Sequence, residues 1–258
     1  MNFVSIISLL LAAAVFLLSV ITSTDNPMAM VDFHGALIVV GGSIAAAAIS
    51  FGITNVWLMV KVFVQRTIFG KTPNYSQTIK HLMEIADAYR NESSNLKTLI
   101  ESNADPFLKE SLSIILDGVA NEEEAILILK KRSETLYQRY SRDALRFKSM
   151  GKYPPAMGLM GAVLGMIALL GSLGKPGAES SIGPAMSVAL IATFYGIAVA
   201  NLMIIPISEN LAESANELRI KNDIIIHGCS LILKKTNSIL LAEELNSYLL
   251  PKERIKEG

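Results

Sequence analysis

Four long stretches of this 258-residue sequence contain no charged side chain, and they constrain the fold more than any other feature. Each is at least as long as the roughly 20 mostly apolar residues that a helix needs to cross a membrane. The chain is 51% hydrophobic and 18% charged, which disfavours a soluble enzyme. The stretches are residues 1–24, 33–60, 153–174 and 180–208. The sequence therefore predicts an all-α integral membrane protein with four transmembrane helices and a helical cytoplasmic domain.

The apolar cores of the four predicted membrane helices are residues 3–21, 36–60, 155–173 and 183–207. The first lacks a basic flank and is long for the apolar run of a signal peptide, so we expect it to be retained. This pattern divides the chain into four parts. They are residues 1–60 with helices one and two and a short external linker, 61–152 as a helical region, 153–208 with helices three and four, and 209–258 as a helical tail.

The basic residues predict which side of the membrane each loop occupies. Of the 23 lysines and arginines, fifteen lie in 61–152 and seven follow residue 208, which leaves only Lys175 between helices three and four. The linker at 22–34 carries Asp25 and Asp32 but no basic residue. Because basic loops stay in the cytoplasm, both short linkers are predicted to be external and both termini cytoplasmic.

Apolar residues recur at helical spacing in the long middle region. Asp117-Gly118 is typical of a helix end, and Asn121 before three glutamates is typical of an N-cap with an acidic first turn. We expect helix to continue from 209 to 235. The periodic positions are Ile79, Leu82, Met83, Ile85, Ala86 and Tyr89, then Leu108, Leu112, Ile115, Leu116 and Val119.

The sequence lacks the patterns that enzymes and metal proteins usually carry. Cys229 is the only cysteine, and the three histidines are far apart in sequence. We find no phosphate-binding glycine loop and no nucleophile–base motif. The sequence therefore predicts a protein that is not an enzyme, with no cofactor and no metal, and it offers no contiguous basic face for nucleic acid.

The four uncharged stretches also lack an intramembrane carboxylate, the group that usually marks a path for protons or cations. Either the chain moves no ion, or the titrating carboxylate comes from another polypeptide. Helices three and four carry small residues that allow close helix packing, either within the chain or against a partner. These residues are Gly158, Gly161, Ala162 and Gly165, then Ala185, Ala189, Ala192, Gly196 and Ala200.

Three polar or helix-breaking positions in these helices can be interpreted from the residues alone. Thr193 either bonds to its own helix or binds an ion. Pro155 is interpreted as a proline that starts a helix. Pro206 leaves the carbonyl of Leu202 without its helical donor, which produces either a hinge or a kink at the end of the span.

Six segments in a fixed order resemble the MotA/PomA family, the larger stator subunit of the bacterial flagellar motor. The resemblance covers essentially the whole chain and agrees with the predicted topology. The segments are LIVVGGS at 37–43, EIADAYR at 84–90, PAMGLMG at 155–161, GPAMSVAL at 183–190, Tyr195-Gly196 and Pro206-Ile207.

The resemblance implies a pentamer in the bacterial inner membrane, which encloses the helices of two MotB-like subunits. A MotB-like aspartate would take up and release the ion, and this would account for the missing carboxylate. Helices one and two would face lipid, while helices three and four would face the partner. The residues implied to pack against partner helices are Gly158, Gly161, Gly165, Ala189 and Gly196.

The resemblance also implies roles for charged residues and prolines. Arg90 would face the rotor protein FliG, and so would Glu101 if one residue is inserted here; otherwise Ile100 falls at that position. Asp32 matches an acidic residue of sodium-driven members in the external linker. Pro155 and Pro206 match prolines that couple ion flow to movement.

The choice of ion follows from counting side-chain oxygens. Sodium-driven relatives carry threonine at the positions of Ala162, Ala192 and Thr193. In this chain only Thr193 offers a side-chain oxygen at these three positions. Because sodium needs several oxygen ligands to replace its water, we predict proton drive, with sodium drive as the alternative.

Three other readings compete with the stator. The related ExbB/TolQ proteins have three membrane spans, and their main cytoplasmic region follows the first span. In this chain two predicted spans precede the main cytoplasmic region, which favours the stator. A stand-alone transporter needs its own polar path or broken helices. A purely structural scaffold predicts that Thr193→Ala and Arg90→Ala leave function unchanged.

Overall fold

A computed structural model describes residues 3–23, 27–63, 73–93, 96–103, 105–116, 121–173, 176 and 179–255. Within these residues every regular element is a helix. The sequence-based statements on Asp25, Asp117-Gly118, Val119 and Lys175 lie outside the described residues. The helices are α1 (Phe3–Ser23), α2 (Phe33–Ala36), α3 (Gly42–Phe51), α4 (Ile53–Phe63), α5 (Tyr75–Arg90), α6 (Leu96–Ser102), α7 (Pro106–Leu116), α8 (Glu122–Met150), α9 (Tyr153–Ser172), α10 (Glu179–Val199), α11 (Ile205–Leu233) and α12 (Ser238–Asn246).

Three short irregular segments connect some of these helices. A 3₁₀ turn at Pro27–Met30 lies between α1 and α2. A π-helical segment at Leu37–Gly41 joins α2 to α3, and a second at Ala200–Ile204 joins α10 to α11. Such wide turns inside longer helices are uncommon.

The chain divides into two compact units. We call Met1–Lys71 with Ser141–Glu213 the apolar unit, and Thr72–Tyr140 with Ser214–Gly258 the polar unit. The four-part division predicted from the sequence stays a prediction.

The apolar unit contains the helices suited to a membrane. Among the described residues, three helical stretches are long and apolar enough to cross it: Phe33–Phe51, a part of Glu122–Ser172 and a part of Ile182–Leu233. Two shorter apolar helices are Ala14–Ser23 and Ile53–Val62. The chain is therefore a multi-pass membrane protein, while the count of four spans stays a prediction.

The second predicted span is not one continuous helix, contrary to the expectation for residues 36–60. α3 ends at Phe51, and Gly52 has a φ of 84° and a ψ of 142° before α4 begins at Ile53. This backbone conformation is essentially restricted to glycine, because a side chain at Cβ would clash with the main chain. Gly52 therefore separates the span into two helices.

We expect Gly52→Ala to destabilise the apolar unit by about 1–3 kcal/mol, since alanine is strained at this φ. The nearest atom to an added Cβ is the Asn55 side-chain nitrogen at 3.9 Å, so the cost comes from the backbone and not from crowding. Thermal unfolding of the purified complex measures the effect. Gly171→Ala is the matched control, because a Cβ there meets nothing within 4 Å. Equal unfolding midpoints for the two variants would contradict the prediction.

The polar unit has a continuous hydrophobic core that confirms the predicted helical periodicity. The predicted positions of α5 and α7 that are buried in it are Ile79, Leu82, Ile85 and Ala86, then Leu108, Leu112 and Ile115. α8, α11 and α12 complete the core, and Gly228 of α11 lies so close to Leu82 that a Cβ would be 2.7 Å from its side chain. The predicted N-cap is also present, because the Asn121 side chain accepts a hydrogen bond from the Glu124 amide.

Candidate functional site

The closest helix contact in the apolar unit joins α9 to α10 through small residues. A Cβ at Gly158 would lie 2.8 Å from the carbonyl oxygen of Ala192, and a Cβ at Gly161 would lie 2.6 Å from the Ala192 Cβ. A Cβ at Gly165 would lie 2.8 Å from the Cβ of Ala189. These glycines are buried, and alanine at any of them would force the helices apart.

The distance between α9 and α10 is shortest at the start of α9. A Cβ at Gly196 would lie 2.4 Å from the Pro154 carbonyl oxygen and 3.1 Å from the Pro155 Cα. Both prolines lie in the first turn of α9, where the backbone N–H groups have no helical acceptor, so they remove no helical hydrogen bond. Pro155 thus starts a helix and also lies against α10.

The small residues therefore have a role within the chain. The residues predicted to pack against a partner helix fill the contact between α9 and α10, and their contact with a partner stays a prediction. A different set of α9 side chains is available to a partner or to lipid, and the sequence reasoning did not single it out. These exposed side chains are Leu159, Met160, Val163, Leu164, Met166, Ile167 and Leu170.

The structure brings the three predicted ion-selectivity positions to the same pair of helices. Ala192 is completely buried, and Ala162 and Thr193 are half-buried. The Thr193 hydroxyl lies 3.2 Å from the carbonyl oxygen of Ala189 and 3.4 Å from that of Gly158. Its single proton is therefore donated within the α9–α10 contact, while its oxygen lone pairs can still accept. Thr193 thus bonds to its own helix, as one of the two interpretations expected.

The linker between α1 and α2 approaches α10 through Tyr195, a contact that the sequence did not reveal. The Tyr195 hydroxyl donates a hydrogen bond to the Met30 carbonyl and accepts one from the Asp32 amide at 3.2 Å. The Asp32 carboxylate caps α2 by accepting from the Gly35 amide at 2.9 Å. Asp32 is therefore engaged through both its main chain and its side chain.

Pro206 lies at the second residue of α11, directly after the π-helical segment Ala200–Ile204. The Leu202 carbonyl, which lacks its helical donor because of the proline, lies inside this segment. A Cβ at Gly151 would lie 3.3 Å from the Ile205 side chain, so the residues before α9 approach the start of α11. The irregularity at Pro206 is consequently a local widening of the helix.

Arg90 has several partners in the polar unit and is not a free cation. Its guanidinium donates to the Ser238 hydroxyl at 2.6 Å and to the Thr236 carbonyl at 2.9 Å. Asp87 lies 3.6 Å from the guanidinium and accepts from Ser238 at 3.1 Å. The side chain is 32% exposed. Arg90 therefore connects the end of α5 to the start of α12.

The two alternatives for the acidic rotor-facing position have different surroundings. Glu101 is exposed on α6, whereas Ile100 packs against the core of the polar unit. Only Glu101 offers a charge at the surface. The structure thus favours Glu101, and its role stays a prediction.

Two titratable groups of the polar unit have raised pKa values. Burial raises the pKa of the Cys229 thiol to about 12, so the thiol stays protonated at neutral pH. Burial also raises the pKa of Asp223, against the lowering effect of Arg219. Among the described residues no group of three potential metal ligands is close enough to hold an ion.

An all-α membrane fold with two closely packed helices and a separate polar unit defines a class of multi-pass helical membrane proteins. Residues 99–223 match the MotA/TolQ/ExbB proton channel family. Motility protein A of Borreliella burgdorferi is 30% identical to this chain, over 98% of this chain and 96% of the relative. The chain therefore belongs to the MotA/TolQ/ExbB proton channel family.

Two solved structures share the fold over almost the whole chain. One is the flagellar MotAB stator complex from Bacillus subtilis, with a TM-score of 0.82, 26% identity, and coverage of 97% of this chain and 98% of that chain. The other is MotAB of C. jejuni, with a TM-score of 0.86, 24% identity and full coverage of both chains. The predicted resemblance, the all-α fold and the assignment as a flagellar stator subunit that is not an enzyme are confirmed.

Proposed function

We propose that this chain, a stator subunit of the flagellar motor, couples proton flow across the bacterial inner membrane to torque on the rotor. It acts with a MotB-like partner. The solved relative from Bacillus subtilis that shares its fold is a MotAB stator complex. Five copies surround two partner helices, and lipid surrounds the ring. Both termini lie in the cytoplasm, because the basic residues are concentrated in 61–152 and after 208.

The absence of a carboxylate from the four uncharged stretches is the observation that carries this proposal. Proton flow needs a group that takes up and releases the proton, and within a membrane this group is usually a carboxylate. A chain of a proton channel family without one therefore needs a second polypeptide to supply it. The exposed apolar side of α9 offers that polypeptide a surface, because the small residues of α9 are already engaged with α10.

Proton drive is supported by the scarcity of oxygen ligands around Ala192. Neither Ala162 nor Ala192 has a side-chain oxygen, so the Thr193 hydroxyl supplies the one side-chain oxygen among these three positions. A sodium ion needs several oxygens to replace its hydration shell, whereas a proton needs only a carboxylate and water. Sodium drive remains the alternative, because Asp32 matches sodium-driven members.

Rotation of single motors tests the proposal. The chain and its MotB-like partner are supplied to cells that lack their own stators, and external sodium is varied at fixed membrane potential and pH gradient. We expect rotation whose speed does not depend on sodium. Speed that rises with sodium would overturn proton drive and keep the motor function. Absence of rotation from a complex shown to assemble with a compatible rotor would contradict the proposal.

The contact with the rotor is proposed to involve FliG and charges of the polar unit. Glu101 is exposed and available for such a contact. Arg90 contributes in a second way, because it also holds α12 against α5. Loss of torque in an Arg90 variant therefore reports on two effects, a lost contact with the rotor and a loosened α12.

A further inference from the structure

Among the described residues, the Tyr195 hydroxyl hydrogen-bonds residues 27–32 of the external linker to α10. Tyr195 uses that hydroxyl twice: it donates to the Met30 carbonyl and accepts from the Asp32 amide at 3.2 Å. Both linker groups belong to the main chain, so substitution of linker side chains does not remove them. The tyrosine is the partner that can be changed.

Pro27 and Met30 of this linker are partly buried, whereas the apolar side chains around Asp32 are exposed. Met28 is 75% exposed and Val31 is 70% exposed, and Phe33 at the start of α2 is 75% exposed. The internal hydrogen bond of the linker, from the Val31 amide to the Met28 carbonyl, shapes the turn but does not attach it to another helix. In the part of the chain that the structure describes, the Tyr195 hydroxyl therefore makes both hydrogen bonds that join this linker to α10.

The attached linker lies beside the proposed ion path. Asp32 caps α2, and a Cβ at Gly35 of α2 would lie 3.5 Å from the Cα and the amide nitrogen of Ala192. Ala192 and Tyr195 are three residues apart on α10 and so lie on the same side of that helix. The hydroxyl and the packing of α2 on α10 thus together hold the Asp32 end of the linker next to Ala192.

We propose that Tyr195 is a positioning residue for ion entry. Its hydroxyl binds the external linker to α10. The bound linker keeps the Asp32 carboxylate beside Ala192 and Thr193 of the fourth span. A carboxylate fixed at that place raises the local concentration of cations, whereas one on a detached linker does so less. The inference rests on the proposed function, since it concerns entry into the same ion path.

Tyr195→Phe tests this inference because it removes the hydroxyl and keeps the ring. Tyr153→Phe is the matched control, since the Tyr153 hydroxyl bonds to the Ser50 hydroxyl at 2.7 Å in the same unit and does not contact the linker. Hydrogen exchange is measured for the amides of residues 28–35 in the full-length complex with its partner subunit in lipid nanodiscs. We expect exchange about fivefold to tenfold faster in Tyr195→Phe and unchanged in Tyr153→Phe.

The second measurement separates positioning from general destabilisation. Rotation speed is recorded in cells without their own stators, at fixed membrane potential, against the external concentration of protons and, separately, of sodium. We expect the half-saturating concentration of the driving ion to rise about threefold to fivefold, while speed at saturation is retained. A merely structural role would instead lower the speed in equal proportion at every concentration.

The outcomes distinguish the two proposals. Unchanged hydrogen exchange in Tyr195→Phe would overturn the inference, and so would faster exchange with an unchanged half-saturating concentration. In both cases the unsubstituted chain still rotates the motor, so the proposed function stands. No rotation from the unsubstituted chain would contradict the proposed function, and the inference with it.

Discussion

Gly196→Ala is expected to reduce rotation in cells that lack their own stators to less than about a tenth of the unsubstituted level. The added Cβ would lie 2.4 Å from the Pro154 carbonyl oxygen and 3.1 Å from the Pro155 Cα. These are main-chain atoms at the start of α9, and no side-chain rotation moves them away. The two helices must separate, at a cost of about 1–3 kcal/mol or more. Single-motor rotation and the yield of assembled complex measure the effect.

Gly171→Ala is the control in α9, the helix that packs against α10. A Cβ at Gly171 meets nothing within 4 Å, and alanine favours helix over glycine by about 1 kcal/mol. We expect this variant to assemble and rotate as the unsubstituted chain does. If Gly196→Ala assembles and rotates equally well, the close contact between α9 and α10 is not needed for torque.

Arg90→Ala is expected to loosen α12 from α5 and to destabilise this contact by about 2–3 kcal/mol. The substitution removes charge-assisted hydrogen bonds to the Thr236 carbonyl and the Ser238 hydroxyl. Hydrogen exchange over residues 234–246 in the purified complex measures the loosening, and single-motor rotation measures the loss of torque. We expect exchange in this segment to rise by more than tenfold.

Arg90→Lys separates the two effects of this side chain. Lysine keeps the positive charge but lacks the planar fork that reaches two acceptors at once. If charge alone matters, Arg90→Lys restores torque; if attachment of α12 matters, it restores neither torque nor protection from exchange. Arg132→Ala is the matched control, because Arg132 forms an exposed ion pair with Glu110, and such pairs contribute less than about 1 kcal/mol. Unchanged exchange over 234–246 in Arg90→Ala would contradict the attachment.

Local features of this fold could be predicted from the sequence. The buried positions Ile79, Leu82 and Ile85 follow from helical spacing within one segment, and the cap at Asn121 follows from four consecutive residues. The helical membrane class follows from the lengths of the uncharged stretches, since few other structures accommodate them.

Contacts between distant segments could not be predicted in the same way. Tyr195 and Met30 are 165 residues apart, and Arg90 and Thr236 are 146 apart, so no spacing pattern connects them. The small residues of α9 and α10 indicated close packing but not the neighbour, because a helix in the same chain and a helix of a partner need the same small side chains. Gly52 was equally ambiguous, since a glycine in an apolar run is compatible with both a continuous and a broken helix.

The π-helical segment Ala200–Ile204 changes which residues before and after it lie on the same side of the helix. A wide turn amounts to one inserted residue, and one residue rotates the following helix by about 100° relative to an ideal α-helix. The buried residues before it, such as Ala192, and those after it, such as Leu211, therefore belong to two different phases of the helical repeat. A single helical wheel drawn for residues 182–233 would therefore place either the buried residues before the π-helical segment or those after it on the exposed side.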